Sequence, residues 1–372
     1  MKKFKEGYSF DDVLIAPNYS NIIPKDANVS TKLTKKVTLN LPFVSAAMDT
    51  VTEHEMATQM ALIGGIGTIH KNMSIDAQCQ EVAKVKACRV DSINNTSACL
   101  DNAGRLRVIA AVGAGEEAVT RAKSLIAANV DLIAIDTSHG HSQNVLDTIQ
   151  EIKKISKTIE IIAGNIATKD AALALLYAGA DALKVGVGPG SICTTRIVAG
   201  VGVPQLSAIM EVAEVCQTKD VYLIADGGIR YSGDVAKAIA AGADCVMLGS
   251  MLAGTDPTPG QVIVIDHKKY KKYRGMGSLA AMKSGSADRY FQKGETNLVP
   301  QGVEGYVEYK GSLSDVITQL KGGLTSAMGY TDSKDIEEMK KKCTFVKITH
   351  AGINESHVHS LDRFEAAINY KK

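Results

Sequence analysis

The stretch Ala182-Leu-Lys-Val-Gly-Val-Gly-Pro-Gly-Ser-Ile-Cys-Thr-Thr-Arg196 ends a glycine-rich loop on a thiol. Gly186, Gly188 and Gly190 carry no Cβ, so a ligand can approach the backbone and meet its amides or carbonyls. Cysteine is the side chain that most readily becomes a nucleophile near neutral pH, once a cation or amide dipoles favour its thiolate. Cys193 has hydroxyls on both sides and Arg196 close by. The chemistry this offers is covalent catalysis beside a bound phosphate or ion. Taken alone, such a cysteine reads as inert packing, and it is the loop around it that points to a site. Other groups with chemical potential are spread along the chain at Asp49, His70, Asp136, Asn165, Asp226 and Ser250.

Something must bring these distant residues together. Short apolar, β-branched runs recur at 42–47, 66–70, 108–112, 132–135, 159–163, 182–187, 221–225 and 245–249. Helical spacing of apolar residues separates most of them, at 116–128, 143–155, 169–178, 205–215 and 233–241. Strands apolar on both faces that alternate with helices mean a parallel sheet covered by helices. Two near-repeats, Ala178-Gly-Ala-Asp-Ala-Leu-Lys-Val-Gly186 and Ala241-Gly-Ala-Asp-Cys-Val-Met-Leu-Gly249, show βα units built alike. A count of eight favours a closed α/β (β/α)8 barrel over an open doubly wound sheet. Each candidate residue follows or ends a strand, so a barrel predicts that they meet at one mouth.

Composition excludes several classes. With 372 residues, 45% hydrophobic, and 42 basic against 40 acidic side chains, the chain has ample core and a net charge of only +2. Neither nucleic acid nor membrane is called for. The run His267-Lys-Lys-Tyr-Lys-Lys-Tyr-Arg274 reads as a solvated face. Seven scattered cysteines without a Cys-x-x-Cys element suit a reducing cytosol. The start, Met1-Lys-Lys-Phe-Lys-Glu6, has no apolar signal core, so a cytoplasmic protein is expected. His139 and His141 lack a convincing third ligand, and no transition metal is predicted. Gly186-Val-Gly-Pro-Gly-Ser191 narrowly misses a dinucleotide fingerprint, and no acidic residue follows a second strand where a Rossmann unit needs one.

The cysteine loop resembles that of the inosine monophosphate (IMP) dehydrogenase and guanosine monophosphate (GMP) reductase family. The likeness continues through Asp12, Ser45-Ala-Ala-Met-Asp-Thr50, Gly64-Gly-Ile-Gly67, Asp136, Asp226-Gly-Gly-Ile-Arg230 and Gly249-Ser250, and so spans nearly the whole chain. It implies a single catalytic barrel over 1–372 in which 88–105 is a short connector. Most IMP dehydrogenases carry a pair of cystathionine-synthase-like regulatory domains at that point. Residues 253–310 become a mobile flap and 343–372 a C-terminal tail.

The resemblance also implies roles. Cys193 would attack C2 of IMP, with hydride passing to NAD, and Thr195 with the flap pair Arg289 and Tyr290 would activate water for hydrolysis. NAD would lie across the mouth on Asp136, Thr137, Ser138, Asn165, Gly186, Val187 and Gly188; ignoring the resemblance, Asp136 reads equally as a helix cap. IMP would meet Ala46, Met48, Ser191, Asp226, Gly228, Gly249 and Ser250, closed over by Tyr273, Gly275, Met276 and Gly277. Gln301 stands where bacterial relatives often have Glu. A potassium ion would rest on the carbonyls of Gly188, Gly190 and Cys193, completed by Glu355, Ser356 and His357 from an adjacent subunit of a homotetramer. GMP reductase shares the loop and lacks the regulatory pair, and a non-catalytic nucleotide-binding protein is a further alternative. Asp288-Arg-Tyr-Phe-Gln292 and the tail at 350–359 resemble the dehydrogenase.

Overall fold

In the computed structural model, residues 4–370 are described, apart from 92, 364, 366 and 368. The end of the expected tail, 371–372, thus lies outside the described residues. Eight parallel strands form a closed barrel in chain order: β1 Phe43–Ser45, β2 Ile66–Ile69, β3 Ile109–Val112, β4 Leu132–Asp136, β5 Glu160–Ile166, β6 Ala182–Val185, β7 Tyr222–Asp226 and β8 Cys245–Leu248. The ring closes where Val246, Met247 and Leu248 pair with Phe43, Val44 and Ser45. The expected (β/α)8 architecture is therefore present.

Strand alternation divides the apolar residues between two cores. Val44, Ile109, Leu132, Ala134, Ile162, Ala182, Ile224, Cys245 and Met247 fill the barrel interior. Their neighbours Phe43, Ala110, Ile133, Ile161, Leu183, Leu223 and Val246 pack outward against helices. A strand buried on both faces has no room for polar alternation, which explains the continuous apolar runs. The inner core is plugged at its lower end by a small hairpin, Thr31–Lys32 with Thr38–Leu39, which buries Leu33, Val37 and Leu39.

Around the barrel stand α1 His54–Leu62, α2 Ile75–Ala87, α3 Glu116–Ala127, α4 Gln143–Ile155, α5 Lys169–Ala178, α6 Gln205–Lys219 and α7 Ser232–Ala240. Local signals set their ends. The Thr168 hydroxyl accepts the Ala171 N–H at the start of α5, and Gly179 closes that helix in the left-handed region at φ 111°. After the flap, α8 Leu313–Tyr330 completes the ring and packs on α7. Among the described residues no helix is long and apolar enough to cross a membrane.

Two expectations need correction. The strand expected at 182–187 stops at Val185, because at Gly186 the chain turns away with φ 151°. The flap contains an antiparallel sheet of β9 Ile263–Ile265, β10 Lys268–Arg274 and β11 Glu304–Glu308, with a short helix at Leu279–Lys283 and a turn at Ser286–Tyr290 between the last two strands. The basic run is not simply a solvated face, since it is β10. Alternation buries Lys271 and Tyr273 while Lys268, Lys269 and Lys272 stay exposed. The buried Lys271 ammonium donates to the carbonyls of Thr255, Asp256 and Thr258 at 2.6–3.1 Å, which compensates its loss of water.

Of the described residues in the 88–105 stretch, Cys88, Val90 and Ala98 pack against the outer core. Lys86 bonds Asp101 at 2.9 Å and Asp131 at 2.8 Å, and Cys99 joins the inner core. At the other end of the chain, Phe345–Lys347 pairs antiparallel with Val13–Ile15 and leads into a helix at His350–Ser356.

Candidate active site

The carboxyl ends of the strands surround one continuous cleft. Its inner part is lined by Ala46, Met48, Asp136, Ser138, Asn165, Gly186, Gly188, Gly190, Cys193, Thr195, Asp226, Tyr273, Gly275, Met276, Gly277, Arg289, Tyr290 and Gln301. An adjoining outer part shares Met48, Gly190, Asp226 and Tyr273 and adds Ser191, Gly228, Gly249 and Ser250. Residues from 46 to 301 in the sequence thus meet because a closed barrel gathers all its strand ends at one mouth.

Cys193 is half-buried, and its Sγ donates to Thr195 Oγ1 at 3.1 Å. The loop that carries it is zipped to the flap. Thr194 N donates to Gln301 O at 3.0 Å, and Val303 N donates to Ile192 O at 3.0 Å. Gly186 admits no side chain, because a Cβ there would overlap the Asp226 carbonyl oxygen. Gln205 Nε2 bonds that same oxygen at 3.1 Å and Val185 O at 3.0 Å, so loop and β7 are held as one unit. Tyr273 is 5% exposed; burial pushes its phenol up to about 12, against the opposing effect of a hydrogen bond with Ser191. It is therefore a neutral donor at physiological pH.

The other side of the cleft is polar and occupied by the flap. Arg289 forms an ion pair with Asp136, and its carbonyl accepts from Ser138 N at 3.1 Å and Ser138 Oγ at 2.8 Å. Tyr290 packs over Gly277, and burial, the largest influence, raises its phenol above the usual range. Between the two halves sits Lys184, whose side chain is 1% exposed. Its ammonium bonds Asp136 at 2.7 Å, Asn165, and Asp226 at 3.3 Å. Burial lowers its pKa and the Asp226 carboxylate opposes that shift.

A family model described as IMP dehydrogenase / GMP reductase domain matches residues 7–359. The chain belongs to that family. It is 49% identical to inosine-5'-monophosphate dehydrogenase of Cryptosporidium parvum, over 100% of this chain and 99% of the relative. It is 48% identical to the enzyme of that name from Borreliella burgdorferi, covering 96% and 98%. The Aquifex aeolicus relative of the same name is 43% identical over 99% and 98%, in an alignment of 482 positions against the 372 residues here. That relative therefore contains a substantial segment which this chain lacks, and the tandem regulatory domains are absent here.

Set against the IMP dehydrogenase / GMP reductase family's expected residues, most line the cleft. Thr137 and Val187 do not: the Thr137 hydroxyl donates to Gly164 O at 2.8 Å, and the Val187 carbonyl accepts from Arg196 Nε at 3.2 Å. Glu355, Ser356 and His357 do not reach the cleft of their own chain; His357 lies beside the rings of Tyr231 and Tyr370. Asp49 and His70, read as chemical groups at strand ends, are structural. Asp49 holds Arg274 at 2.6 Å, pinning β10 to the barrel, and His70 meets Glu53 at 3.3 Å.

Lys184 was missed. Its signal was a cation inside an otherwise apolar strand, at the same parity as inward-facing Ala182. Replacing it with Met strands Asp136 and Asp226 without their shared cation. Removing one partner from a buried pair costs about 3 kcal/mol, so Lys184→Met is expected to lower the urea midpoint of unfolding clearly. An unchanged midpoint would show that the two carboxylates do not need it.

Proposed function

We propose that the protein is an IMP dehydrogenase, oxidising IMP to xanthosine monophosphate with NAD in guanine nucleotide synthesis. The observation that carries this reading is the convergence of Cys193, hydrogen-bonded to Thr195, with Arg289 and Tyr290 of the flap in one cleft. Reactive thiol and water-activating pair are then available to one substrate. Support also comes from relatives bearing that enzyme's name over their full length.

The outer cleft suits a nucleotide. Ser191, Gly228, Gly249 and Ser250 lie where barrels of this kind bind phosphate, and Asp226 faces the space a ribose would take. Cys193 gives up its thiol proton to solvent and its Sγ forms a bond to C2 of the hypoxanthine, while the C2 hydrogen leaves as hydride with its electron pair. NAD, when bound against Asp136, Ser138 and Asn165, supplies the acceptor for that hydride. The residues present fit it in polarity, and Asp136 and Ser138 would be freed for it when Arg289 leaves them. Water then adds to C2 of the thioimidate, its proton taken up near Arg289 and Tyr290, and the C–S bond breaks to restore the Cys193 thiol. An arginine serves as base only with help from its surroundings. Gln301 carries an amide that is not a base, so a carboxylate relay at that position is in doubt and the Arg289–Tyr290 pair is the candidate that remains in the cleft.

The carbonyls of Gly188, Gly190 and Cys193 would hold a potassium ion, with carbonyls of Glu355, Ser356 and His357 contributed by a neighbouring copy in a homotetramer. Oxygen-only donors fit a hard monovalent ion. Rates are expected to rise severalfold in potassium over sodium or lithium at equal ionic strength; equal rates in all three would remove the site. All seven cysteines are free, in keeping with a reducing cytoplasm. The reading is tested by following NADH absorbance with IMP and NAD. Loss of NADPH with GMP instead would make the protein a reductase, and binding without turnover would make it neither.

A further inference from the structure

Besides the Arg289–Asp136 pair, two further ion pairs fasten the flap turn and the residues just after it to the barrel, and they differ sharply in burial. Asp288 meets the ammonium of Lys71, whose side chain is 7% exposed, whereas Lys293 meets Glu117 with side chains 68% and 58% exposed. Lys71 comes from the loop after β2. Asp288 directly precedes Arg289, so its position sets where that guanidinium can reach. Gly113, after β3, forms the floor beneath the carboxylate: a Cβ there would lie 2.5 Å from Asp288 Oδ2. Burial disfavours the Lys71 charge, Arg289 and Arg121 add to that, and Asp288 is the group that opposes them.

We propose that the Lys71–Asp288 pair is the latch that holds the flap on the barrel mouth, and that both are positioning residues for the hydrolytic half of the reaction. This rests on the proposed function, in which Arg289 and the dinucleotide contend for Asp136. One carboxylate cannot serve both at once. Flap closure and dinucleotide occupancy are then linked equilibria, so a loss of closure is divided between a smaller closed fraction and tighter dinucleotide binding, the two factors multiplying to the whole. A buried charge that loses its partner is stranded in a poor solvent, and the penalty falls on the closed state alone. An exposed pair is screened, and its loss matters little.

The test uses the full chain and measures both the rate of the first NADH turnover and the steady-state rate, across a range of NAD concentrations. Lys71→Met and Asp288→Asn are each expected to keep the first-turnover rate within about twofold while steady-state turnover falls about tenfold, part of an about hundredfold loss of closure, or about 2.7 kcal/mol. Inhibition by excess NAD should set in at about tenfold lower concentration, a shift that mere loosening of the fold does not produce. Lys71→Arg should restore most of the rate, and the double variant should be no worse than either single one, since both remove the same contact. Lys293→Ala should stay within about twofold of the parent. The latch is refuted if Lys71→Met and Lys293→Ala behave alike, or if the first turnover slows in step with the steady state. Should Lys71→Met not fold, Asp288→Asn, which lies on the flap, carries the same expectations. Absence of any NADH from the parent protein overturns the functional reading itself, and is seen before a variant is made.

Discussion

Cys193→Ser is expected to abolish turnover, by at least about a thousandfold, while IMP still binds within a few fold of the parent affinity. The substitution is nearly isosteric, and the hydroxyl can keep the hydrogen bond that Sγ makes to Thr195 Oγ1 at 3.1 Å. What changes is the nucleophile, because an alcohol near neutral pH is far less ionised than a thiol. The outer cleft, with Ser191, Gly228, Gly249 and Ser250, is untouched by the change. Substantial NADH production by the serine variant would show that hydride leaves without a covalent bond to the enzyme. Stopped-flow NADH formation and equilibrium IMP binding together settle the matter.

Arg289→Ala is expected to separate the two halves of the reaction. Arg289 sits on the flap turn and bonds Asp136 and Ser138, whereas the thiol loop is held by separate bonds to Gln301 and Val303. Hydride transfer should therefore proceed, giving a burst of about one NADH per active site, and subsequent turnover should fall by about a hundredfold or more, as removal of a proton-transfer group does. Acid quench with labelled IMP should then trap label on the protein through Cys193. If the burst slows along with steady-state turnover, Arg289 acts in binding or hydride transfer instead.

Much of the architecture was legible in the chain. All eight apolar runs became barrel strands, because a strand packed on two faces leaves a continuous apolar signature that needs no partner to be recognised. Cys193, Asp136, Asn165 and Asp226 were legible as strand-end residues, and the cleft contains all of them. Asp49 and His70 carried the same signal and came to other uses. A strand-end position says that a side chain is near the mouth, and its rotamer and neighbours decide whether it faces the cleft or a partner such as Arg274. The basic run at 267–274 misled for a related reason. Charge suggested solvent, but the flap sheet gives alternate residues opposite faces and turns Lys271 and Tyr273 inward.

The sequence by itself determined the barrel, since its period, its apolar runs and its turn glycines act locally and agree with one another along the whole chain. It also determined the thiol and its glycine loop, which are contiguous. Contacts between distant segments were decided only by the tertiary structure. Lys184 lies on β6, and it becomes the cation between Asp136 of β4 and Asp226 of β7 only when the ring closes and inward parity points all three into one interior. The same is true of Lys71 with Asp288 and Arg289 with Asp136, which are 217 and 153 residues apart in the chain. Such pairings leave no periodic trace, because a long-range contact depends on where two elements come to rest and not on the residues beside either partner.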